Sequence, residues 1–162
     1  MSESRLRLLA SEGTLWAVLD ACDAPDVPAR VEVRGPANGD CLWKGRTRER
    51  YWAVAPWLVN VDLALFDWIR ATLWEQPWGL FAEAKSTLDA LRGHFRRIHV
   101  VEDPAGKRMY FRFYDPRVLR THLKTASAAE RAEFFGPVTA FWGVYGEPGS
   151  RSVTPFRKED RA

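Results

Sequence analysis

Between Pro56 and Phe95 the apolar residues change their period from strand to helix and back again. Pro56 to Asp62 (PWLVNVD) is a short apolar run of strand length. From Leu63 the apolar positions shift to helical spacing, Leu65, Phe66, Ile69 and Leu73, with Asp62 placed to cap the first turn. Gln76-Pro77 stops this helix over 63–75. Trp78 to Ala84 (WGLFAEA) reads as the next strand. Ser86 with Asp89 forms a capping-box pattern that opens a helix over 86–96, with Leu88, Leu91 and Phe95 on one side. Such alternation predicts an α/β fold, a single domain with a mixed β-sheet and packed helices.

The flanking segments extend this pattern. Thr14 to Asp20 (TLWAVLD) reads as a strand leading into a loop at Ala24 to Pro28, and turn signals at Gly35-Pro36 and Asn38-Gly39-Asp40 punctuate the stretch from Val31 to Arg50. Arg97 to Glu102 and Lys107 to Tyr114 form a hairpin across Asp103-Pro104-Ala105-Gly106. On its second strand, side-chain alternation sends Met109, Phe111 and Phe113 one way and Tyr110, Arg112 and Tyr114 the other. Asp115 and Pro116 then supply the N-cap and first residue of a helix. Ser127 and Glu130 form a second capping box, and Thr139 to Tyr145 is the last apolar run. We therefore expect a folded domain over 14–146 and a polar, flexible tail over 147–162.

Composition narrows the function classes. In 162 residues, 24 Lys+Arg stand against 21 Asp+Glu, a formal net charge of +3. After Ser150, Arg151, Arg157, Lys158 and Arg161 face Glu159 and Asp160, which is +2 of that total, so the body is near neutral. That balance argues against a nucleic-acid footprint, although Lys44/Arg46/Arg48/Arg50 and Arg92/Arg96/Arg97 form local basic clusters. The longest apolar run, Ala53 to Val59, is far short of the ~20 residues of a membrane helix. Arg5 and Arg7 interrupt Leu6, Leu8 and Leu9, so no export signal and a cytoplasmic location are expected. Cys22 and Cys41 form no CxxC pair and are expected as free thiols. There is no GxSxG, phosphate loop or HExxH, and His94, His99 and His122 lack metal spacing; we expect no catalytic set, no metal and no cofactor.

The aromatic residues carry more information. On the helix over 63–75, Trp68 and Trp74 flank the stripe of Phe66, Ile69 and Leu73, so the helix is either buried nearly all round or offers tryptophan to a partner. The helix that begins at Arg117 places Val118, Leu119, His122 and Leu123 on one side and Arg117, Arg120 and Lys124 on the other.

The run from Met109 to Leu119 (MYFRFYDPRVL), followed by Phe134-Phe135-Gly136-Pro137-Val138, closely resembles the signature of the DUF4123 family. Trp16 to Asp20, Ala55 to Val59, and Trp78 to Phe81 with Leu88, Leu91 and Arg92 resemble its other blocks in order, over about Thr14 to Val138. The resemblance implies a non-enzymatic adaptor, or effector chaperone, of the bacterial type VI secretion system. Such a protein binds a cognate secreted effector in the cytoplasm and helps load it onto the VgrG spike protein. On this reading Phe111 and Phe113 are core, and Asp115 and Pro116 start a helix. Arg112, Tyr114 and Arg117 either brace that junction or touch the client, and Trp68, Trp74 and Trp78 are the expected client surface, with Arg120 on the adjoining basic face. Longer members carry a second lobe where this chain has only the stretch after Tyr145. Two other readings remain open: a small nucleic-acid-binding module in which tryptophans stack on bases, and an immunity-type protein that blocks a toxin.

Overall fold

β1 (Leu15–Asp20) buries every one of its side chains and is the centre of the molecule in the computed structural model, which describes residues 2–160. β3 (Pro56–Asn60) pairs antiparallel with one side of it, Val18 opposite Leu58. β4 (Gly79–Glu83) pairs antiparallel with the other, Val18 opposite Leu80. β2 (Gly39–Cys41) and β7 (Ala140–Tyr145) extend the two flanks, and β8 (Ser152–Arg157) closes the order β2-β3-β1-β4-β7-β8. A mixed sheet was expected from the strand–helix alternation, and β3 and β4 do run parallel to each other. The earlier strand β1 lies between them, so every adjacent pair of the six is antiparallel.

Helices cover both faces, giving an α/β single domain in three layers. Strand alternation sorts the side chains between them. Leu15, Ala17 and Leu19 of β1, Trp57 and Val59 of β3, and Phe81 of β4 meet α1 (Ser2–Ser11), α2 (Val27–Glu32) and α4 (Leu63–Thr72). Trp16, Val18, Leu58, Leu80 and Phe141 meet α5 (Leu88–Ile98), α6 (Pro116–Thr125) and α7 (Ala128–Phe135) on the opposite face. Burial on both sides is why these strands read as continuous apolar runs rather than alternating ones. Where Trp78 leads into β4, Gly79 has φ +136°, and a Cβ there would collide with the carbonyl oxygen of Val18.

Local capping explains the starts of α4 to α7. Asp62 accepts from the amide of Leu65 at 2.8 Å, Asp115 accepts from that of Arg117 at 2.9 Å, and Ser127 and Glu130 exchange both bonds of a capping box. At α5 the N-cap is Thr87, which accepts from Ala90, rather than Ser86; Asp89 pairs instead with Arg92 one turn on.

Three further segments differ from the sequence expectation. Residues 2–11 form α1, α2 begins at Val27 within the stretch expected as a loop, and the turn-rich stretch that follows holds β2 and α3 (Gly45–Tyr51), then a 3₁₀ turn at Trp52–Val54. The hairpin is short: β5 (Val100–Glu102) pairs with β6 (Arg108–Tyr110), and the chain then turns through Phe111 N–H to His99 O and Asp115 N–H to Arg112 O. Phe113 and Tyr114 are both buried, in the turn that follows β6 rather than on the strand. Finally, the stretch expected as a flexible tail supplies β8, paired with β7 from Ala140↔Arg157 to Tyr145↔Ser152. Val153 enters one core and Phe156 packs on the other, while Pro155 fits a strand that has a neighbour on one side only. Among the described residues no helix is long and apolar enough to cross a membrane, and Cys22 and Cys41 are free thiols.

Candidate partner-binding site

The turn from Phe111 to Arg117 joins the hairpin to α6, and its polar side chains are engaged within the chain. Arg112 reaches back to Asp20 at the end of β1, and its guanidinium lies 5.8 Å from the centroid of the Tyr114 ring. Burial and the Asp20 charge push the Tyr114 phenol up to about 12. Arg117 grips the Asp115 carboxylate through Nε at 3.0 Å and Nη2 at 2.7 Å, while the same carboxylate caps α6. Burial pulls the Asp115 carboxyl upward, but these bonds outweigh it and hold the group below its ordinary range. Arg120 lies over the ring of Tyr145 at 3.7 Å, and the Tyr145 hydroxyl donates to the carbonyl of Pro116. Phe113 is core, whereas Phe111 is half-buried against His122 and Phe134. This geometry braces a strand-to-helix junction.

The tryptophans expected to face a client are mostly inside. Trp74 and Trp78 are each 2% exposed: Trp74 packs edge-on to Phe66, and Trp78 meets Phe81 at 4.9 Å. Their rings fill the layer between α4 and the sheet, so they do not offer a surface. Trp68 is half-buried on that core with the Arg30 guanidinium 5.0 Å from its ring.

The exposed aromatic surface lies elsewhere, in a groove of about 340 Å³ between α3 and the β5–β6 hairpin. Trp43, Lys44 and Thr47 line one side, Arg108, Met109 and Tyr110 the other, with Leu42, Arg96, His99 and Val100 between them. Tyr110 tilts against Trp43 at 5.6 Å and against His99 at 5.1 Å, and Tyr51 meets Trp43 edge-on at 6.4 Å. Tyr51, Trp52, Val54, Met109 and Tyr110 are all exposed. Tyr51, Trp43 and Tyr110 form one connected aromatic group along this groove.

Charge sets the character of this groove. Asp40 on β2 holds Arg48 at 2.9 Å and Arg92 at 2.7 Å, with Arg96 at 3.9 Å; Arg96 also donates to the carbonyls of Cys41 and Leu42. One carboxylate thus faces three cations, and Lys44 and Arg108 add to the surplus along the rim. His99 is 3% exposed, and burial together with the Arg96 charge lowers its pKa to about 4, so its ring is neutral. His99 Nδ1 and Trp43 Nε1 are buried and have no hydrogen-bond partner. His94, also buried, is held on the far side of α5 by the carbonyl of Phe134 at 2.8 Å. Gly136, with φ +50°, ends α7 against the His94 ring, where any Cβ would clash.

The sequence signals for this surface were partial. The basic run Lys44/Arg46/Arg48/Arg50 was visible as a charge cluster, but Trp43, Met109, Tyr110 and His99 come together only when the hairpin folds over α3.

The fold is a three-layer α/β domain with a basic, aromatic groove between α3 and the β5–β6 hairpin. The DUF4123 family, described as a domain of unknown function, matches residues 15–133, and the chain belongs to that family. No curated protein and no solved structure matches it.

Proposed function

We propose that this protein is a non-enzymatic adaptor that binds a cognate type VI secretion effector in the cytoplasm and helps load it onto the VgrG spike. The observation that carries the reading is the contiguous exposed aromatic groove on a member of the DUF4123 family. Burial of such a surface against a client gains ~25 cal/mol per Å² of apolar area, less the ordering of the client segment. That balance suits a grip that is held in the cytoplasm and given up at the spike. Pull-down of the tagged protein from a nuclease-treated lysate of its native bacterium, followed by mass spectrometry, tests it. Recovery of one large toxin-like protein together with VgrG is the expected result. Recovery of neither, from folded bait in cells expressing the secretion genes, would overturn the loading role.

A nucleic-acid module is the second reading, favoured by the same basic rim. Against it, Arg48, Arg92 and Arg96 are already committed to Asp40 and to backbone carbonyls. Filter binding across a salt series separates the two, because release of counterions predicts a steep loss of affinity for nucleic acid as salt rises.

A further inference from the structure

We propose that the groove between α3 and the β5–β6 hairpin takes an acidic peptide segment that carries a large apolar side chain. Two observations converge on that chemistry. The groove is contiguous and partly apolar, with Leu42, Val100 and Met109 along it and Tyr110 standing 56% exposed at its lip. Its rim is cationic: Lys44 and Arg108 lie within ion-pair distance of no carboxylate among the described residues, as do the neighbouring Arg46 and Arg50 of α3. Glu102 stands opposite Arg108 in the hairpin register, and Glu49 lies on α3, so some negative charge is present, but the cations outnumber it.

A stacked base fits less well. Trp43 and Tyr110 lean on each other at 5.6 Å, leaving no slot between them, and the Tyr51 face carries the Arg50 guanidinium at 5.4 Å. A polyanionic backbone also calls for a longer track of free cations than this rim provides. The assignment rests on the adaptor reading only for the identity of the protein that carries the segment.

The test uses the whole chain and three short labelled peptides in fluorescence anisotropy: one with Phe flanked by Asp and Glu, the same peptide with Ser in place of Phe, and a version with Lys in place of every acid. The Phe-bearing acidic peptide binds, the Ser version is weaker by roughly tenfold or more, and the Lys version does not bind. The double variant Lys44→Glu/Arg108→Glu and the single variant Tyr110→Ala, each verified as folded by circular dichroism, lose affinity by a similar factor. Unchanged peptide affinity in both variants overturns the assignment. So does tighter binding of oligothymidylate than of the acidic peptide at equal salt, or a dimer in sedimentation that Tyr110→Ala dissociates. The lysate experiment separates this inference from the adaptor reading. An effector recovered equally by wild type and by Lys44→Glu/Arg108→Glu removes the groove and leaves the adaptor. Groove-dependent peptide binding without recovery of effector or VgrG does the reverse.

Discussion

Trp74 and Trp78 at the α4–β4 connection and Trp43 beside Tyr110 at the α3–hairpin groove are chemically alike and physically opposite. The first pair sits between a helix and a sheet face, with Phe66 and Phe81 against the rings. The second pair is only partly covered: Trp43 is half-buried against the core with Tyr51 of α3 at its edge, and Tyr110 faces solvent. What separates them is the neighbouring layer. A tryptophan enclosed between a helix and the sheet is core, whereas Trp43, packed on the core but lining the groove, is only half-buried.

The comparison breaks most visibly under truncation. Trp74→Ala should cost about 3–5 kcal/mol in urea-induced unfolding, the range for deleting a large buried ring, while Tyr110→Ala should stay within about 1 kcal/mol. Equal losses would erase the distinction between the two regions.

Acid sharpens it next. His99 has its folded pKa near 4, below the ordinary histidine value, so the unfolded chain binds a proton that the folded chain refuses between about pH 6.5 and 4. Stability therefore falls as pH drops through that window, by a few kcal/mol, and the fall levels off below the folded value. His94 and His122, also lowered by burial, act in the same direction. Replacing His99 by Phe should flatten the dependence of the urea midpoint across this window; an unchanged slope would mean that the ring is not held neutral at the groove.

Smaller effects come from the junction. Arg112→Ala leaves the buried carboxylate of Asp20 without its ionic partner and should cost about 1–3 kcal/mol. Arg117→Ala should cost at most about 1 kcal/mol, because its side chain is 75% exposed and Asp115 keeps its bond to the helix amide. Both are read from unfolding midpoints, and a reversed order would place Arg117 in a tighter setting than its exposure allows.

How much of this was legible follows from the range of the interactions. Asp62, Asp115-Pro116 and the Ser127–Glu130 box act within one helical turn, and those helices lie where local chemistry puts them. Strands β1, β3, β4 and β7 were legible because burial on both faces leaves an unbroken apolar run. β8 was not: Ser152, Thr154 and Arg157 make it polar, and its only partner is β7. The α4 tryptophans were visible as residues, but their fate depended on the sheet layer packed against them. The groove was least legible, since residues near 43, near 99 and near 110 meet through a tertiary fold that no local pattern encodes.

The position of β1 has a consequence for biosynthesis. The strand at the middle of the sheet precedes the other five in the chain and leaves the ribosome before them, and its two neighbours, β3 and β4, emerge later and dock on either side of it. On the β4 side the remaining strands then arrive in spatial order, β7 and finally β8, so that flank is laid down outward from its axis in the sequence of translation. A nascent chain halted before β8 lacks an edge strand and the core contributions of Val153 and Phe156, whereas a chain begun after β1 has no axis on which to build.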